Sequence, residues 1–435
     1  MRKNINKIIA FAIGVSVMSG SIIPVFAADS TTNPSTTTTT ASNAASTTTA
    51  KSNVLTLDDA IKAAISISDT LALDEQKISY QDKINGINED KDDFNDVSDD
   101  QEDYDNDTAD ETLNKLKQQR DFDEDSLTQK VTDQYNSLVT SQMQIDMATK
   151  KLAVDNKNLQ DANLKQSLGI KTSIDIKTTE LSIQKEQNDL TTNQNKLKDA
   201  QYAFQLLTGK DASQYTLEKD INFEPFKIDG SLDDYLDNII DSYLKYSEEL
   251  LQTSKDYYDK DYEKDNNITT DDLDQAKSDA EEATKPSKPS DSNTDVNAYQ
   301  KYEEKLAAYN GAQSQYTNIL AARLAYLNTK LNNYSNEVAI SEEKKAFKEQ
   351  LRSYYTNLQT YEDSINYCKK EIEINNEQLS NYKLKYDLGM ITESDYNAQV
   401  VSTEQAEIDL RNAIIAYNQN EEYLQKPWIV LSSSK

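Results

Sequence analysis

The residues that could do chemistry in this chain are almost all carboxylates. Aspartate and glutamate number 76 against 46 lysines and arginines, histidine is absent, and the single cysteine is Cys368. Without histidine the commonest general base and a common metal ligand are missing. One thiol cannot close an intrachain disulfide. The acids offer one sharp pattern: Asp103, Asp105 and Asp107 alternate as the first ligands of a calcium loop do. Such a loop needs glycine at its sixth position and glutamate at its twelfth, where this chain has Thr108 and Asn114. No metal site and no cofactor are therefore assigned. The formal net charge of −30 opposes phosphate backbones and anionic lipid, which disfavours nucleic acid as a partner. Only six glycines lie beyond residue 28, where average usage of about 7% would give roughly thirty. Few glycines and prolines mean few loops, and catalytic groups usually sit on loops. Nothing tunes a pair of carboxylates in a pocket. No catalytic residue is assigned, and the chain is not expected to be an enzyme.

A different constellation does stand out. LKQSLGIKTSID at 164–175 returns as LKYDLGMITESD at 384–395, so that Gly169 and Gly389 stand 220 residues apart in one pattern, LKxxLGxxTxxD. Gly169 and Gly389 can take the left-handed conformation that ends a helix. Thr172 and Thr392 can then cap the next helix, with Asp175 and Asp395 as the carboxylate partners of a capping box. Each line reads as a helical hairpin turn.

The elements that position these turns are long helices. Val131, Leu138, Ile145, Leu152 and Leu159 recur every seven residues, and the same 220-residue offset gives Leu351, Leu358, Ile365, Ile372 and Leu379. A sustained seven-residue apolar repeat predicts a helix with a coiled-coil seam. Ile176, Ile183, Leu190, Leu197 and Phe204 continue after the first turn, with Gly209 as a C-cap, and Leu410, Tyr417 and Leu424 lie in the matching helix from Glu393 to about Gln425. Each helix of about 35–45 residues would span roughly 50–65 Å. Cys368, aligned with Ala148 between seam positions, reads as a small buried packing residue. The start of each half repeats too, with TLDDAIKAAI at Thr56–Ile65 and SLDDYLDNII at Ser231–Ile240, each opening on a capping pattern (Thr56 with Asp59, Ser231 with Asp234).

The rest of the chain punctuates these rods. Residues 1–28 have the form of a secretory signal, with Arg2, Lys3 and Lys7 before the apolar run Ile8–Ile23 and a small-residue site at Ala27 or Ala28. Residues 29–52 are a Thr/Ser/Ala tether. The first repeat then spans 53–229, the second 230–427, and 428–435 form a C-terminal tail. Within the repeats, residues 89–111 hold thirteen acids and one lysine, and the polar run 259–296 carries Pro286 and Pro289. Such stretches are expected to be solvated, mobile loops.

The repeated halves, the LTLDDAIKAAI opening and the doubled LGxxTxxD line together resemble the TolC-like outer membrane factor family over nearly all of residues 53–426. The resemblance implies an all-α tube of long antiparallel helical hairpins with coiled-coil packing and two internal repeats. In the family three chains form the tube, and the tips meet a periplasmic adaptor (membrane fusion) protein that links it to an inner-membrane transporter. By resemblance, Leu168, Gly169, Thr172 and Asp175, with Leu388, Gly389, Thr392 and Asp395, form an adaptor-facing tip. Family members also insert two β-strands per half at the opposite end, which assemble into an outer-membrane barrel. Here those places hold the runs 89–111 and 259–296, and neither offers the 9–11 residues of alternation that a barrel strand needs. The expected function is the helical duct of a tripartite efflux or type I-like secretion system, exported to the cell envelope, a possible homotrimer with no direct insertion into a bilayer. The other reading is a cell-surface or cell-wall coiled-coil scaffold that does not transport.

Overall fold

The computed structural model describes residues 53–290 and 296–432. The expected signal at 1–28 and tether at 29–52 lie outside the described residues. The first half contains a short strand β1 (Val54–Leu55) and helices α1 (Leu57–Ile67), α2 (Asp69–Asn95), α3 (Asp99–Ser167) and α4 (Ser173–Thr208). A 3-10 turn at Ala212–Gln214 leads to β2 (Thr216–Leu217), which pairs in parallel with β1. The second half contains α5 (Leu232–Lys260), α6 (Tyr262–Asp265), α7 (Thr270–Glu282), α8 (Val296–Asp387), α9 (Glu393–Gln425) and α10 (Trp428–Ser432). The chain is all-α, as the periodicity predicts.

Local chemistry starts each helix where the sequence pattern places it. Thr56 Oγ1 accepts the Asp59 N–H at 3.1 Å, and Ser231 Oγ accepts that of Asp234 at 3.1 Å. Ser68 ends α1 and also caps α2 through the Leu71 N–H at 3.3 Å, so the two helices run end to end. Each half is then one long rod with shorter helices laid along it. In the first, α1, α2 and α4 pack on α3; in the second, α5, α7 and α9 pack on α8. The columns lie in the order α2, α3, α5, α8 toward one end and α4, α3, α9, α8 toward the other.

The seam residues are where the heptads put them, with a gradient along the rods. Val131, Leu138 and Ile145 are buried, as are Leu351, Leu358 and Ile365, whereas Leu152, Leu159, Ile372 and Leu379 are half-buried. Packing therefore loosens toward the glycine turns in both halves. Three polar pins hold the middle. Arg411, buried in α9, donates to Asn136 Oδ1 at 2.9 Å, to Thr140 Oγ1 at 3.3 Å and to the Lys219 carbonyl. Its burial pulls the guanidinium below its ordinary value. Tyr135 donates to the Leu55 carbonyl at 2.6 Å and accepts from the Glu218 N–H at 2.7 Å. Tyr417 accepts from the Phe226 N–H at 2.6 Å.

Three sequence expectations are corrected. First, the run 89–111 is largely helical rather than a loop, and the polar run holds two helices, Tyr262–Asp265 and Thr270–Glu282, with 283–290 outside any helix. The acidic run forms the end of α2, a turn at Asp96, Val97 and Ser98, and the start of α3. Ser98 caps α3, accepting the Gln101 N–H at 3.2 Å, and Asp99, Asp100 and Glu102 occupy its first turn, where the helix dipole favours negative charge. In the polar run Thr269 and Asp272 form a full capping box, and Ile268, Ala276 and Ala280 are buried. Charge on the open faces did not prevent a helix, because one covered stripe is enough to hold it. Asp103, Asp105 and Asp107 consequently stand on a helix and not in a calcium loop.

Second, the rods exceed the expected length: α3 has 69 residues and α8 has 92, about 100 and 140 Å respectively at the helical rise. Third, Cys368 is half-buried rather than enclosed, and desolvation still holds its thiol above the ordinary range. The C-terminal tail opens with α10, which runs as far as Ser432. Trp428 stacks on Phe122 at 4.3 Å, and its indole N–H donates to Asp125 at 2.9 Å.

Candidate docking site at the hairpin tips

Both predicted turns form, and they form the same way. Gly169 has φ +77° and Gly389 φ +70°. The Ile170 N–H reaches back to the Lys165 carbonyl at 2.9 Å and the Gly169 N–H to Gln166 at 2.8 Å; Met390 to Lys385 and Gly389 to Tyr386 repeat this at 2.8 Å each. This paired closure is the Schellman arrangement, which satisfies the carbonyls that a helix end leaves open. Three residues on, the capping boxes are complete. Thr172 N–H donates to Asp175 at 3.1 Å and Asp175 N–H returns to Thr172 Oγ1 at 3.3 Å; the Thr392 and Asp395 distances are 3.0 and 3.1 Å. The threonine hydroxyls donate a further bond at 2.7 Å to each carboxylate. These hydroxyl bonds, followed by the backbone N–H bonds, hold Asp175 and Asp395 below the usual carboxylate range.

The turns are rigidly closed yet cover little. No atom lies within 4 Å of a Cβ built on Gly169 or Gly389. Leu168 is 67% exposed and Leu388 65%. The sequence reading missed their apolar neighbours: Leu164, Ile170 and Ile174 on the first tip and Leu384 and Met390 on the second are exposed as well. The available signal was the apolar residue directly after each glycine, where a merely solvated turn would carry a polar one. The two tips share one end of the molecule. Ser394, buried in the first turn of α9, donates to Asn158 of α3 at 2.6 Å, and Lys165 adds its positive field to Asp395. They are not identical: Tyr386 and Tyr396 stack at 5.6 Å across the second turn only.

Among the described residues no group of three or more potential ligands is placed to hold a metal ion. The groove of about 430 Å³ between α5 and α8 is lined by Lys344 and Lys348, and both are engaged by acids, at 2.6–2.8 Å to Glu248 and Asp241 and 2.7 Å to Asp237.

Two long rods, each flanked by shorter helices and each turning through an exposed glycine tip, define a TolC-like helical-tube fold. Solved structures carry the same likeness. The chain is similar to CusC, a protein studied for conformational changes accompanying folding and transmembrane channel formation, at 12% identity and a TM-score of 0.50 over 86% of this chain and 91% of that one. It is also similar to the outer-membrane channel OprN, at 12% identity and a TM-score of 0.51 over 86% and 90% of the two chains. No family model matches the chain, and no curated protein matches it in sequence. At this identity the likeness is one of fold.

Proposed function

We propose that this protein is the helical duct of a tripartite efflux or type I-like secretion assembly in the cell envelope. It acts without catalysis, as a homotrimer that docks an adaptor protein through its tips, and the adaptor joins it to an inner-membrane transporter. The observation that carries this reading is the pair of tips: two rigid turns of identical closure, at one end, presenting Leu168, Ile170, Leu388 and Met390 to solvent. Apolar groups held open on preorganised backbone are a docking surface rather than a packing remnant. The fold shared with CusC and OprN supports it.

The same reading keeps the other end out of a bilayer. Among the described residues no helix is long and apolar enough to cross a membrane, and the strands are the two-residue β1 and β2. The runs 89–111 and 259–296, where the resemblance would put barrel strands, are rich in acids, and an unpaired charge facing lipid is destabilising. The test is photo-crosslinking from positions 171 and 391 to a co-expressed adaptor, together with vesicle flotation of the mature chain. Adaptor capture that is lost in the Gly169→Val, Gly389→Val double variant, with no flotation, is the expected result. Absence of capture by the parent chain would favour the non-transporting scaffold, and stable flotation would overturn the claim about the bilayer.

A further inference from the structure

The seam that α2 lays on α3 contains a carboxylate. Leu71, Asp74, Ile78, Gln81 and Asn85 step by three and four along α2, which is coiled-coil spacing. They are buried or half-buried, while the residues between them are exposed. Asp74 is only 4% exposed, and a buried charge costs free energy unless it is paired and hydrogen-bonded. Lys77 serves one of its oxygens, with Nζ 2.7 Å from Oδ1. The other oxygen, Oδ2, is buried and receives no donor from the protein.

What stands against Asp74 is a second carboxyl. Asp123 of α3 lies within hydrogen-bond reach of it, and Asp123 Oδ1 accepts from the Gln119 side chain at 3.0 Å. Two ionised carboxylates only accept, and they repel at this range; one proton turns one of them into a donor. Burial, with the hydrogen bond and charge of Asp74, holds Asp123 above the usual carboxylate range, against the opposing pull of Gln119 and Lys77. The nearby cations are engaged elsewhere. Arg120 of α3 pairs with Glu75 at 2.9 Å, Asp121 at 3.0 Å and Glu124 at 2.7 Å. Lys426, at the end of α9, pairs with Asp125 at 2.9 Å and Glu422 at 2.8 Å. A metal ion fits poorly: calcium takes about six to eight oxygen ligands, and among the described residues no three potential ligands converge. Glu111 of α3 faces Glu249 of α5 in a similar way. The Glu249 side chain is 41% exposed, so solvent serves it and no proton site is assigned there.

We propose that Asp74 and Asp123 together bind one proton, and that this proton seats α2 on α3. Asp74, paired with Lys77, is the acceptor. Asp123 carries the proton on the oxygen that Gln119 leaves free, so its O–H donates to Asp74 Oδ2. Loss of the proton leaves two negative charges facing each other in one seam, and α2 loosens from α3. The pair binds its proton more tightly in the folded chain than in the unfolded one. Seating is therefore complete below the midpoint of the pair and is lost as pH rises through it. The latch lies toward the end of the columns away from the tips, and it works whether or not the tips dock an adaptor.

Asp123→Asn in the full mature chain tests it, because asparagine keeps the shape and supplies the donor permanently. A difference titration of parent against Asp123→Asn isolates proton uptake by the pair. Its midpoint should lie clearly above the exposed-aspartate value of about 4. Amide exchange over Leu71–Ile78, corrected for the intrinsic rate at each pH, is the second readout. In the parent it should be faster by about tenfold on the alkaline side of that midpoint than on the acid side. In Asp123→Asn it should be equally slow on both sides, and in Asp123→Ala, which leaves Asp74 Oδ2 without a donor, faster on both. Exchange around Leu358 of α8 should respond in none of the three, which separates release of α2 from general unfolding. If Asp123→Asn fails to fold, Asp74→Asn, whose amide donates to Asp123, should give the same flat, slow profile. Three results would overturn the proposal: a midpoint at the ordinary aspartate value, an Asp123→Asn chain exchanging as fast as Asp123→Ala, or parent protection restored at alkaline pH by millimolar calcium, which would make the pair a cation site.

Discussion

Replacing a glycine with alanine should have opposite signs at two positions of this chain. Gly311 lies inside α8 with helical backbone and nothing within 4 Å of a built Cβ. Alanine there removes unfolded-state freedom without a clash and should stabilise by about 0.5–1 kcal/mol. Gly169 also has open space around its Cβ, but its φ is +77°. Any cost there is purely conformational, about 1–2 kcal/mol for an L-residue forced left-handed. Asparagine, which visits that region, should lose less than alanine. Hydrogen exchange reads the local effect, because the Ile170 N–H is held by the Lys165 carbonyl at 2.9 Å only while the turn is closed. A cost of about 1–2 kcal/mol corresponds to exchange faster by roughly five- to thirtyfold at Ile170, with residues around Leu138 unaffected. The global melting temperature should rise slightly for Gly311→Ala and hardly move for Gly169→Ala, since the seam and not the tip holds the rods. If Gly169→Ala leaves Ile170 exchange unchanged, or protects it, the left-handed closure is not what forms the tip and the argument fails.

Other perturbations separate packing, electrostatics and the tail. Leu351 is fully buried in the cluster formed by α5, α8 and α9, so Leu351→Ala should cost about 2–5 kcal/mol in denaturant unfolding, against under about 0.5 kcal/mol for an exposed position such as Leu388. Burial raises the carboxyls of Asp105, Asp123, Asp133, Glu343 and Glu421. A carboxyl with a raised folded pKa is destabilising when ionised, so that cost should be relieved as pH falls through the raised folded value toward the ordinary carboxylate range of about 4. Asp175, Asp211 and Asp395 are shifted down by their hydroxyl and backbone bonds, and their contribution should be lost below about pH 4, giving a melting-temperature maximum in mildly acid buffer. Trp428 is the only tryptophan, and Trp428→Phe should keep the stack on Phe122 while losing the bond to Asp125. That loss should cost roughly 1.5–3 kcal/mol in docking the tail, read as faster exchange over 428–432. In the parent chain, the tryptophan emission should shift red when the tail is released.

The sequence by itself determined everything that depends on short-range pattern. A seven-residue apolar repeat admits one local solution, a helix with a seam, and the buried Val131, Leu138, Leu351 and Leu358 occupy it. The glycine, threonine and aspartate of each tip fix a turn within twelve residues, and both turns closed as that chemistry requires. The helices within 89–111 and 259–282 escape a reading of composition, which reports the exposed faces of a helix more loudly than its narrow covered stripe. Only the neighbours decide whether that stripe is covered: Tyr104 is helical in company with Tyr257, and Ala276 with α8. Tertiary structure alone also brought the tips together, through Ser394 on Asn158 across more than two hundred residues. It likewise turned Trp428 from a tail residue into a clamp on α3. Which apolar stripes remain open could not be read from periodicity, since Leu327 and Tyr326 are adjacent large side chains on one helix and each continues a seven-residue spacing. Burial of one against α5 and exposure of the other is settled by which column stands beside α8, a relation between distant segments that no local spacing encodes.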